Sequence, residues 1–148
     1  MKNLSIISSI FALFIILSGC GSDKNEDPTP DTQTAKFRVE LTQSGDFTKF
    51  VKIVTIGGGD FTYTGTNNKM PAVLSGDNID DATISVEAKD VVELNINSLT
   101  EFSAVEEGPA TMTMKFAIYK NDKLIDEKTY TYNEATREKA ELLNYKAK

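Results

Sequence analysis

The chain has 148 residues, a formal net charge of −6, one cysteine, and neither histidine nor tryptophan. Without histidine there is no Ser-His-Asp triad, no imidazole base and no histidine-based metal site, and a single cysteine excludes an internal disulfide. No basic cluster interrupts the acidic balance, which argues against nucleic acid as a partner and against electrostatic adhesion to anionic lipid.

Met1-Lys2 is followed by an apolar run from Leu4 to Leu17 and then by small residues, the layout of a secretory signal. The run is shorter than the roughly 20 residues a spanning helix needs, and Ser5, Ser8 and Ser9 interrupt it. It ends in Leu17-Ser18-Gly19-Cys20. This tetrad closely resembles the lipobox of bacterial lipoproteins. The resemblance implies cleavage before Cys20 by signal peptidase II, with a diacylglyceryl thioether on the Cys20 sulfur and an acyl chain such as palmitate on its amino group. Residues 1–19 are then the signal peptide, and the membrane is met through lipid on Cys20. Each buried methylene adds about 0.8 kcal/mol, and two or more chains make such anchoring stable.

Gly21 to Thr34 contains no aliphatic or aromatic residue and has nothing to bury, so residues 20–34 read as the lipidated cysteine and a disordered tether. Fully extended, the tether reaches at most about 46 Å. Its acids Asp23, Glu26, Asp27 and Asp31 loosely resemble the export signal of surface lipoproteins in some gut anaerobes, interrupted here by Lys24 and Asn25. A plain solvated linker is the competing reading. Together these features predict a bacterial envelope location on the outer membrane, with display at the surface and a periplasmic face both left open.

From Ala35 onward the apolar period is two, and residues 35–148 read as one β domain. Phe37, Val39 and Leu41 alternate with charged or polar neighbours, and Phe47 to Ile56 reads as a central strand because neither face is clearly polar. Gly57-Gly58-Gly59 lacks the Gly-Lys-Ser/Thr of a phosphate loop and precedes another β run, so a hairpin turn is expected. Pro71 demotes Lys69 to Leu74 to an edge or irregular crossing. Asp77-Asn78-Ile79-Asp80-Asp81 is oxygen-rich but lacks an EF-hand pattern, so a solvated turn is preferred to a calcium loop and no metal site is assigned.

Two alternating strands follow over Ala82–Ala88 and Val92–Ile96, with Ser98 to Ala110 expected as loop. The cleanest alternation is Met112, Met114, Phe116 and Ile118 against Thr111, Thr113 and Lys115; with the Asn121-Asp122 turn it predicts a hairpin over Thr111–Tyr132. The end is ambiguous. Glu134 to Leu143 has helix-forming composition with Asn133 as a candidate N-cap, whereas Leu143, Tyr145 and Ala147 fit a strand; a short C-terminal helix is preferred.

These elements predict a mostly β protein, an antiparallel β-sandwich resembling the immunoglobulin-like or transthyretin-like sandwiches of small exported lipoproteins. Architecture does not imply function. The preferred reading is a non-enzymatic, lipid-anchored envelope protein whose sandwich meets an envelope protein or a glycan. Tyr130 and Tyr132, on one side of a strand, are the candidate ligand face of a carbohydrate-binding module, with half-buried packing as the preferred role. A hydrolase with carboxylates from separate strands is the third reading. Nothing in the sequence requires a cofactor.

Overall fold

A computed structural model describes residues 33–148. The expected signal peptide, Cys20 and most of the tether lie outside the described residues. Nine strands form two antiparallel sheets: β1 (Ala35–Gly45), β2 (Phe50–Gly57), β3 (Thr62–Tyr63), β4 (Leu74–Ser75), β5 (Thr83–Val91), β6 (Glu93–Phe102), β7 (Thr111–Lys120), β8 (Lys123–Asn133) and β9 (Lys139–Lys146). One sheet runs β3-β5-β1-β7-β8 and the other β4-β2-β6-β9. The expected antiparallel β-sandwich is what the chain forms.

Alternation explains the layering. In β1, Phe37, Val39 and Leu41 point inward, and in β7 Met112, Met114, Phe116 and Ile118 do the same. Register places Val39 opposite Ile118 and Leu41 opposite Phe116, so the large side chains of the two central strands stack in rows. The facing sheet contributes Phe50, Val54, Ile56, Leu94 and Ile96. Phe50 and Phe102 meet edge to face at 5.4 Å, an arrangement that favours the ring quadrupoles. The β7–β8 hairpin closes through Asn121 and Asp122, both at positive φ, as a tight two-residue turn between right-twisted strands requires.

Three sequence expectations are corrected. Residues 134–147 are not a helix: after a turn in which Asn133 and Thr136 side chains accept backbone N–H groups, β9 pairs with β6 along its length. The unpaired edge of β6 offers that segment a full ladder and a core slot for Leu143, and this outweighs a weak helical propensity. β6 also runs on to Phe102, so 98–102 is strand and not loop. Finally, Gly57-Gly58-Gly59 does not turn a hairpin. It carries the chain from β2 in one sheet to β3 in the other. Gly58 sits at φ +104, and a Cβ there would overlap the Glu93 carbonyl oxygen, so only glycine fits this crossing.

The inward face of β8 changes from apolar to polar along its length. Tyr132 is buried, Tyr130 half-buried, and Lys128 and Asp126 reach the open side of the sandwich. There Tyr145 of β9 donates its hydroxyl to Asp126 Oδ2 at 2.9 Å, linking the two sheets at their edge.

Candidate functional site

Tyr130 and Tyr132 fall on one face of β8, as period two demands, and that face looks into the sandwich. Tyr130 packs its ring against Phe116 with centroids 6.3 Å apart. Tyr132 is only 3% exposed, opposite Met112 on β7. The two rings therefore do not form an exposed row. Beside them lies an open groove of about 390 Å3, lined by Thr129, Thr131, Arg137, Lys139 and Glu141 as well as the tyrosines.

Three hydroxyls are shut in at this place: those of Tyr132, Ser98 and Thr100, none with a hydrogen-bond partner. Burial pushes the Tyr132 hydroxyl up to about 12, with the Thr100 and Ser98 hydroxyls opposing that shift only in part. Below pH 10 both folded and unfolded chains hold this proton. Between about 10 and 12 the unfolded chain loses it first, so this group's contribution to stability falls as pH rises through that window. Tyr132→Phe removes a buried, unpartnered hydroxyl. It should leave neutral-pH stability unchanged or raised by about 1 kcal/mol. It should also flatten the decline in denaturant midpoint between pH 9 and pH 11. Equal alkaline declines in both proteins would show that the hydroxyl is not buried as described.

Asp126 behaves in the opposite sense. The Tyr145 hydroxyl it accepts holds its carboxyl below the usual range, so this contribution is present at neutral pH and is lost on acidification through the folded value.

The Asp77–Asp81 segment is a tight loop and not an open cluster. A single 3-10 turn, Gly76–Asn78, brings Ile79 into the core. Gln43, buried on β1, donates its Nε2 to the Ile79 and Asp81 carbonyls at 2.6 and 3.0 Å. Lys52, buried on β2, donates its Nζ to Asp80 Oδ1 and to the Phe47 carbonyl, each at 2.8 Å. The inward place of Lys52 is not among the sequence expectations. The signal was there: Phe50, Lys52, Val54 and Ile56 share one period-two face.

A groove of about 520 Å3 is lined by Asp60, Glu87, Asp90 and Lys89. Glu87 is engaged by Lys36 at 3.1 Å, and Asp60 is almost wholly exposed. Among the described residues no three Asp, Glu, His or Cys side chains converge to hold a metal.

The outer face of the four-stranded sheet carries exposed apolar side chains: Val51 and Ile53 on β2 and Leu142 on β9. Register aligns Ile53, Leu99 and Ala140 in one row across that face, with Thr55, Asn97 and Leu142 in the next.

A family model described as PLCC, PLAT/LH2 and C2-like Ca2+-binding lipoprotein, matches residues 1–146. No curated protein matches the chain. Solved structures share the fold. A domain of unknown function, DUF4425, from Bacteroides vulgatus is 19% identical with a TM-score of 0.65, over 77% of this chain and 97% of that one. The calcium-bound form of a protein from Parabacteroides distasonis is 21% identical with a TM-score of 0.63, over 76% and 93%. A DUF4425 family protein from Bacteroides ovatus is 12% identical with a TM-score of 0.57, over 76% and 94%.

Proposed function

Because the chain belongs to the family of PLAT/LH2 and C2-like Ca2+-binding lipoproteins, we propose that it is a bacterial envelope protein held on a membrane by lipid on Cys20, and that its sandwich meets a partner rather than catalysing a reaction. The observation that carries this reading is Cys20 itself. It stands directly behind an apolar run and small residues, in a chain that a lipoprotein family matches over 1–146. Among the described residues no helix is long and apolar enough to cross a membrane. The acids of the 20–34 tether support export to the outer membrane and display at the surface. The exposed Val51, Ile53 and Leu142 on the outer sheet face supply an apolar surface for an envelope partner.

The family's description, and the calcium-bound relative, raise calcium as a ligand. The described residues do not fit a resident ion. Calcium takes six to eight oxygen ligands, several of them carboxylate. Among the described residues no three acidic side chains converge, and in the 77–81 loop the Ile79 and Asp81 carbonyls already accept from Gln43 and Asp80 Oδ1 from Lys52. No role in this reading therefore passes through calcium.

Cys20→Ser tests the anchor. The variant should leave the membrane fraction for the soluble envelope or medium, with its signal peptide poorly processed. Unchanged membrane fractionation would sink the lipoprotein reading for this chain.

A further inference from the structure

Lys52 is the one charged side chain fully buried among the described residues; the others buried with polar groups are Gln43, Ser98 and Thr100. A lone ammonium inside a sandwich is costly unless it is paired and hydrogen-bonded. Lys52 meets both conditions at one end of the molecule. Its Nζ bridges the Phe47 carbonyl in the β1–β2 connection and the Asp80 carboxylate in the β4–β5 connection, at 2.8 Å each. The Phe47 ring lies 5.1 Å from the same nitrogen, close enough for its electron-rich face to add attraction.

Gln43 works on the same loop from the other sheet. Its amide nitrogen holds the Ile79 and Asp81 carbonyls, while its Oε1 is buried without a partner. Four loop oxygens, those of Phe47, Ile79, Asp80 and Asp81, thus face nitrogen donors from β1 and β2. Carbonyls and a carboxylate gathered from two loops are the ligand chemistry by which a calcium ion ties loops together. Here the positive charge belongs to the chain. A second cation on the Asp80 carboxylate or the Phe47 carbonyl would lie beside the ammonium that already bonds both, and like charges that close repel.

We infer that Lys52, seconded by Gln43, is a built-in cation: it ties the 46–49 and 76–82 loops in the place a divalent ion would take, so that these loops stay fixed without metal. The inference concerns the sandwich end alone and does not depend on lipid at Cys20.

The test is hydrogen exchange on the full chain in detergent, following peptides that cover 44–50 and 76–82, in EDTA and again in millimolar CaCl2. In the unsubstituted chain both loops should exchange equally with and without calcium. In Lys52→Met they should exchange at least about tenfold faster in EDTA, because the Asp80 carboxylate and the Phe47 carbonyl lose their shared donor. Two results overturn the inference: protection of 76–82 in the unsubstituted chain that rises about tenfold on adding calcium, or Lys52→Met exchanging like the unsubstituted chain. Should Lys52→Met fail to fold, Asp80→Asn tests the same bridge. Its side chain is 45% exposed and open to water, so the fold should survive while 76–82 exchanges several-fold faster. Unchanged exchange in Asp80→Asn also overturns the assignment.

Discussion

Phe116→Ala is expected to destabilise the domain by about 3–5 kcal/mol, a large share of the 5–15 kcal/mol that holds a domain of this size folded. Phe116 is 0% exposed and sits in β7, the strand flanked by β1 and β8 in the five-stranded sheet. Truncation removes its transfer free energy and leaves a cavity against Leu41, its cross-strand partner, in a core too closely packed to collapse fully. It also removes the edge-to-face contact with Tyr130, a term of about 0.5–1.5 kcal/mol in such pairs. The adjacent Lys115 points to the other face, where it pairs with Glu127 at 3.3 Å in solvent. Lys115→Ala should cost less than about 1 kcal/mol, the range of exposed ion pairs. Denaturant melts of the two variants check this. Equal shifts would mean that the alternation in β7 does not mark an inside and an outside.

What made β7 legible in the sequence is that its inward residues, Met112, Met114, Phe116 and Ile118, are all apolar, with polar residues at Thr111, Thr113 and Lys115. β1 is legible for the same reason through Phe37, Val39 and Leu41. The second sheet breaks the rule. β6 turns Ser98 and Thr100 inward while Leu99 is left half-exposed, so its polarity pattern is inverted just where the sequence suggests a loop. Thr100 pairs with Lys52 across the strands, so the inward lysine lies in the same polar seam. Tyr132 reaches the seam from β8 with a hydroxyl beside those of Ser98 and Thr100. Hydrophobic periodicity cannot find polar residues that the fold turns inward, whether they bond to loops as Lys52 does or stay unpartnered as the three hydroxyls do. The lipid anchor proposed at Cys20 is the reverse case: it is read from a short motif and needs no fold to be read.

The C-terminal segment failed to read as strand for a different reason. Glu134 to Leu143 is rich in Glu, Ala, Lys and Leu, which favour helix when packing does not decide. Packing does decide here, because β6 has an open edge and Ile96 presents an apolar neighbour to whichever residue lies opposite; that residue is Leu143. A pair of substitutions separates the two conformations. Leu143 is 8% exposed and faces the core, while Leu142 is 70% exposed on the outer face. Leu143→Asp should cost more than about 4 kcal/mol, since it combines the loss of a buried leucine with burial of a carboxylate in the core cluster. Leu142→Asp should stay within about 0.5 kcal/mol, because a surface position away from any cap or pair tolerates the change. Thermal or denaturant melts decide between them. In a helix the two leucines would lie only about 100° apart on one flank, and both aspartates would then damage the same apolar stripe. Comparable losses from Leu142→Asp and Leu143→Asp would therefore overturn the β6–β9 pairing, whereas a wide gap between them requires neighbours that point to opposite faces, as they do only in a strand.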